Sequence, residues 1–150
     1  MCATEFVRYA TIHDVEALAP LFDGYRQFYG QASDLELARG FLTERFRHHE
    51  SVILLAENAG AAVGFTQLYP VFSSVRAKRT YVLNDLFVAP SARKQGVASR
   101  LLKSAAEFGL AMGAARLSLS TAHTNQAAQR LYESHGWVRD STFCYYNLTL

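Results

Sequence analysis

The chain has 150 residues, half of them hydrophobic and 19% charged, enough to bury one continuous core and too little for two independent domains. A net charge of +2 excludes a strongly basic nucleic-acid binder, and two cysteines, Cys2 and Cys144, exclude a disulfide framework. No uncharged apolar run reaches the roughly 18 residues that span a bilayer, so the expectation is one soluble, cytoplasmic domain over 1–150 with free thiols.

After an extended segment over 5–9, Val15, Leu18, Leu21, Phe22, Tyr25 and Phe28 recur at the spacing of one helix face, and Thr11 with Asp14 reads as its capping box. Ser33 and Glu36 repeat that signal before Leu35, Ala38, Phe41, Leu42 and Phe46, which predicts a second helix to about Arg47. A strand follows over 52–56, then a turn at Glu57-Asn58-Ala59-Gly60, a strand over 62–71, and a third over 81–88 that stops before Pro90. The next helix is expected to bury Val97, Leu101, Leu102, Ala105, Phe108 and Met112 and to end near Gly113. A buried strand over 117–121, a short helix over about 125–134 and a closing strand over 143–150 complete the order. The crossover from 81–88 to 117–121 through a helix implies a parallel pair, whereas the hairpins are antiparallel. The class is α/β or α+β with a mixed sheet.

Three segments carry chemistry. Val88-Ala89-Pro90-Ser91-Ala92-Arg93-Lys94-Gln95-Gly96-Val97-Ala98-Ser99 turns a strand end into a helix through a basic loop of small residues. Unpaired amides at a helix start carry the positive end of its dipole and suit a pyrophosphate, with Gly96 and Ala98 leaving room for close approach; the alternative is an ordinary cationic surface loop. In the second segment, Asn125, Ala128 and Tyr132 fall on one helical stripe, which lines either a pocket wall or the core. In the third, Asp85 interrupts the apolar strand Val82-Leu83-Asn84-Asp85-Leu86-Phe87-Val88, marking either a cleft or a structural ion pair with an Arg or Lys.

Together these segments and the order of elements resemble the GNAT family of acetyl-CoA-dependent N-acetyltransferases, whose mixed, mostly antiparallel sheet has helices on both faces. The resemblance implies that Arg93-Lys94-Gln95-Gly96-Val97-Ala98, with Ser99, holds the coenzyme A pyrophosphate, and that Leu86, Phe87 and Val88 bind the cofactor along the strand edge. It implies that Asn125 contacts the cofactor arm beside Ala128, and that Tyr132 protonates the departing thiolate. Tyr25-Arg26-Gln27-Phe28-Tyr29 and the strand around Asn84 and Asp85 are similar to the branch that acetylates polyamines, thialysine, D-amino acids and some histones. That branch implies an amine acceptor at Tyr25, Tyr29, Asn84 and Asp85. Asn84 stands where the polyamine enzymes have an acid, which implies a weaker preference for polycations.

An alkyl amine has a pKa of about 10, so it must lose a proton before it attacks a thioester. Asp85 is the candidate base, directly or through water, and a backbone N–H near Phe87 or Val88 is the candidate oxyanion donor. Direct transfer needs no cysteine nucleophile, and His13, His48, His49, His123 and His135 show no metal-ligand spacing, so no metal is expected. The alternatives are an acetyltransferase acting on protein lysines or N-termini and a non-catalytic acyl-CoA sensor. The aromatic run Phe143, Tyr145, Tyr146 is compatible with a homodimer contact.

Overall fold

In the computed structural model, which describes residues 5–150 and only the backbone of Glu5, five strands form one sheet in the order of the sequence. The expectation for Cys2 lies outside the described residues. β1 (Glu5–Tyr9), β2 (Val52–Asn58), β3 (Ala61–Ser73) and β4 (Lys78–Val88) pair antiparallel, and β5 (Leu117–Ser118) joins β4 in parallel. The parallel pair is the one joined through a helix, as a crossover requires.

Strand side chains alternate between faces, and both faces are covered. α1 (Val15–Phe28) and α2 (Leu35–Arg47) bring Leu18, Phe22, Ala38 and Leu42 onto Ile53, Leu55 and Phe65. α3 (Val97–Ala111) covers the other face, where the Phe108 ring meets Tyr81 at 4.8 Å and Tyr9 at 6.0 Å. There the backbone of β3 approaches so closely that a Cβ on Gly64 would lie 3.0 Å from the Phe87 carbonyl oxygen and 3.2 Å from Val97. The chain divides into two units, Met1–Ser120 with the sheet and α1 to α3, and Thr121–Leu150 with α4 (Gln126–Ser134).

The Thr11 and Asp14 capping box forms, over a short 3-10 turn (Ile12–Asp14) that leads into α1. Asp14 also receives Arg8 at 2.7 and 2.9 Å, while Arg8 reaches Glu57 at 2.8 Å, tying β1, the helix entry and β2 together. The Arg8 hydrogen bond holds the Asp14 carboxyl down to about 2, against an ordinary 3.8. A lowered carboxyl contributes stability above its ordinary value and loses it as pH falls toward the folded one. Because the Arg8 side chain is about a third exposed, the expected loss is about 1 kcal/mol rather than the full shift. Urea unfolding at pH 5 and pH 2.5 checks this: the parent should lose that much more than Asp14→Asn.

Four expectations need correction. Ser33 and Glu36 do not cap α2; Asp34 does, accepting from the Leu37 N–H at 3.0 Å. Ser33 is drawn instead to the buried Asp23, which also takes Gln27 and the Asp34 N–H, because a buried carboxylate must be satisfied. Met112 is half exposed, since it lies past the last turn of α3 as its cap. The strand over 117–121 shrinks to two half-buried residues, while β3 and β4 run longer than 62–71 and 81–88 because each supplies the other's ladder. Residues 143–150 form no strand, and Phe143, Tyr145, Tyr146, Leu148 and Leu150 are exposed. Alternation alone cannot make a strand: its backbone needs a neighbour, and among the described residues the segment has no ladder partner.

Candidate active site

The site begins with an irregularity in the β3–β4 ladder. Gln67 pairs with Asp85 but the next β3 residue, Leu68, pairs with Leu83, so Asn84 is left over as a bulge. Adjacent strand residues normally point to opposite faces; here the bulge lets Asn84 Nδ2 donate to its own neighbour, Asp85 Oδ1, at 2.7 Å. The Asn84 carbonyl meanwhile accepts the Tyr25 hydroxyl from α1 at 2.9 Å. On the other oxygen, Gln67 Nε2 donates to Asp85 Oδ2 at 2.6 Å, and Ser51 Oγ donates to Gln67 Oε1 at 2.7 Å. Thr66 Oγ1 donates to the Asp85 carbonyl at 2.8 Å.

Asp85 is 1% exposed. Burial pushes its carboxyl above the usual carboxylate range, while hydrogen bonds from Asn84, Gln67 and Tyr25 pull the other way. Neither sequence alternative describes this: Asp85 does not open on a cleft, and its partners are two amides and a phenol rather than an Arg or Lys. The amide donors favour the ionised form and burial favours the protonated one, so the carboxyl binds a proton more readily than an exposed carboxylate does.

Around it, the Tyr25 and Tyr29 rings stand 5.1 Å apart and Tyr29 meets Phe28 at 5.2 Å, with Phe28 and Tyr29 exposed. Burial raises the Tyr69 phenol on β3, and the nearby Asp85 adds to that while Arg45 opposes it. The structure thus brings Tyr25, Asn84 and Asp85 into contact, with Tyr29 beside Tyr25. Gln67, Ser51 and Tyr69 escaped the sequence analysis. Gln67 carried the same signal as Asp85, a polar residue inside an apolar strand.

Farther along β4, the ladder with β5 joins Tyr81 and Val82, so among the described residues Leu86, Phe87 and Val88 pair with β3 alone. Past Val88 a 3-10 turn (Pro90–Ala92) leads into Arg93, Lys94, Gln95 and Gly96, all exposed. Arg93 Nε donates to the Val88 carbonyl at 3.0 Å and its guanidinium lies 5.5 Å from the Phe87 ring centre, so it braces the strand end. Lys94 and Gly96 have φ of +61° and +81°. No side chain caps α3, which leaves the first-turn amides of Val97, Ala98 and Ser99 without a side-chain acceptor at the cap. A Cβ at Gly96 would meet nothing within 4 Å, so the protein demands glycine there for its left-handed backbone, and the space over it is open. An uncapped helix start, cationic neighbours and open space fit a pyrophosphate.

Asn125, Ala128 and Tyr132 belong to the second unit. Asn125 precedes α4 as its cap, its Oδ1 accepting from the Ala128 N–H at 3.2 Å, so the polar stripe begins with a capping side chain. Tyr132 is half-buried, its ring 6.1 Å from that of Trp137. Among the described residues no three His, Cys, Asp or Glu gather as a metal site, and no helix is long and apolar enough to cross a membrane.

Residues 15–137 match the model of the acetyltransferase (GNAT) family. An uncharacterised N-acetyltransferase of Bacillus subtilis (strain 168), YhfO, is 51% identical over 144 residues, covering 96% of this chain and 97% of that protein. Thialysine N-epsilon-acetyltransferase of Mus musculus is 30% identical over 114 residues, 67% of this chain and 66% of that one. The crystal structure of a probable acetyltransferase superposes with a TM-score of 0.91 at 45% identity, covering 97% of this chain and 98% of that chain. With a family model that spans most of its length and a relative alike from end to end, the chain belongs to the GNAT family of N-acetyltransferases.

Proposed function

We propose that residues 1–150 act as one domain that transfers acetyl from acetyl-CoA to the primary amine of a small molecule, a polyamine, an amino acid or a similar compound. The observation that carries this reading is that one strand, β4, presents both the dry Asp85 network and, at its end, the uncapped start of α3. The family match runs across the division between the two units, which supports a single domain. Acetyl-CoA, when bound, supplies the activated acetyl thioester. The first amides of α3, with Arg93, Lys94 and Gln95, hold its pyrophosphate, and the edge at Leu86, Phe87 and Val88 holds its arm.

The amine sits at Tyr25, Tyr29 and Asn84. Because Asp85 is buried, it takes the amine's proton through the Tyr25 hydroxyl or a water rather than by contact. Tyr132 returns a proton to the leaving thiolate, and Cys144 has no part in the transfer. The relative that acetylates thialysine supports an amine acceptor, and Asn84 in place of a second acid disfavours long polycations. The exposed segment over 143–150 pairs with a second copy in a homodimer, and the working compartment is the cytoplasm.

Mass spectrometry of a pool of polyamines, thialysine, D-amino acids and lysine peptides incubated with acetyl-CoA tests this. The expected result is one added acetyl group on a small amine. Acetylation confined to the peptides would make the chain a protein acetyltransferase, and no acetylation at all would leave an acyl-CoA sensor.

A further inference from the structure

We propose that Gln67 is a positioning residue for Asp85: anchored at its far end by Ser51, its amide donates to the buried carboxyl and holds it as a carboxylate ready to accept a proton. The proposal rests on Asp85 serving as the base. Gln67 is fully buried between Thr66 and Leu68, where a leucine or methionine would fill the same space at no polar cost. A buried amide is tolerated only when both of its ends are satisfied. Here the carboxylate of Asp85 accepts only, which turns the NH2 group toward it at 2.6 Å, and the Ser51 hydroxyl meets the remaining oxygen at 2.7 Å. A flipped amide would set its oxygen against Oδ2 of an ionised Asp85 and lose that bond, while the Ser51 hydroxyl could turn to accept from the NH2 group, so it is the carboxylate that sets the amide's direction.

The bulge makes this arrangement one-sided. Asn84 holds Oδ1 from an exposed position, so Gln67 is the donor that reaches the carboxyl from the dry side. The other titratable groups facing the carboxyl are Tyr25 from α1 and Tyr69 from β3; Arg45 of α2 and Glu50 after it act on Tyr69. The two phenols are neutral, and neither Arg45 nor Glu50 is among the groups that shift Asp85, so its ionised form is favoured by the hydrogen-bond donors. A hydrogen bond to the ionised form favours it, so removing the Gln67 donor should make the carboxyl bind its proton more tightly. One charge-assisted bond in so dry a place corresponds to roughly one pH unit.

The test is carboxyl-carbon NMR titration of Asp85, assigned by its loss in Asp85→Asn, beside the pH profile of kcat/KM on the amine that the pool identifies. In Gln67→Met, both the titration and the acid limb should move up by about one pH unit, with the alkaline plateau within about threefold of the parent. Ser51→Ala, which only frees the far end of the amide, should move both the same way by a few tenths of a unit. A folded Gln67→Met with titration and limb unmoved overturns the proposal; if that variant does not fold, an unmoved Ser51→Ala does so. Where Asp85→Asn abolishes the acid limb and Gln67→Met leaves it in place, Gln67 alone loses its role. Where Asp85→Asn keeps the parental limb, the reading of Asp85 as base falls and this proposal with it.

Discussion

Tyr132→Phe is expected to lower kcat by about a hundredfold while leaving the acetyl-CoA Kd near the parental value. The substitution keeps the ring that packs 6.1 Å from Trp137 and removes only the hydroxyl, so α4 and its cap at Asn125 should survive intact. General acid catalysis is typically worth about a hundredfold to ten-thousandfold. The thiol of coenzyme A resembles that of cysteine, with a pKa of about 8.5, so its thiolate already leaves tolerably and the loss falls at the low end. Pre-steady-state measurement of the chemical step together with calorimetry of acetyl-CoA binding separates the two effects. Parental kcat under chemistry-limited conditions would mean that water supplies the proton and that Tyr132 only packs.

Gly96→Glu should act on the other half of the reaction, weakening acetyl-CoA binding by about a hundredfold or more. Two effects combine. A side chain at φ +81° is strained by about 1–2 kcal/mol, and a carboxylate in the open space over the start of α3 meets the pyrophosphate as a like charge, which costs several kcal/mol. The strain lowers stability, and only the charge lowers affinity further in the protein that remains folded. Gly96→Asn separates them, since Asn adopts the left-handed region readily and carries no charge. It should keep affinity within about tenfold of the parent, whereas a folded Gly96→Glu with unchanged Kd would remove the loop from the cofactor site.

How far the sequence could be read follows from which interactions are local. The capping box at Thr11 and the helix begun after Gly96 rest on neighbours a few residues apart and stood where the pattern put them, and the turn expected over 57–60 is confined to Ala59 and Gly60, with φ of +51° and +79°, because β2 runs on through Asn58. The bulge at Asn84 did not announce itself, because it exists only in the register between two strands. For the same reason Asp85 suggested a cleft or an ion pair: its partners Gln67 and Tyr25 lie 18 and 60 positions away, and no spacing rule joins them. Asn125 shows a local interaction that spacing does not display. Helical spacing put it on a stripe with Tyr132, but its place just before α4 turned its side chain to the Ala128 N–H. The tail over 143–150 shows the limit of periodicity, which gives a strand's pattern but not the neighbour its backbone requires.

In direct transfer, acetyl passes from acetyl-CoA to an amine with no acetylated protein between them. The measurement that meets it most squarely follows coenzyme A thiol release and N-acetyl amine formation together in a single turnover, with intact-mass analysis of the protein at each time point. With direct transfer, thiol should appear only when the amine is present, match the acetylated amine one for one, and leave the protein's mass without an added acetyl group throughout. Thiol release without amine, or a protein that carries acetyl before the product appears, would contradict direct transfer; release of no thiol with any amine would contradict the enzyme itself.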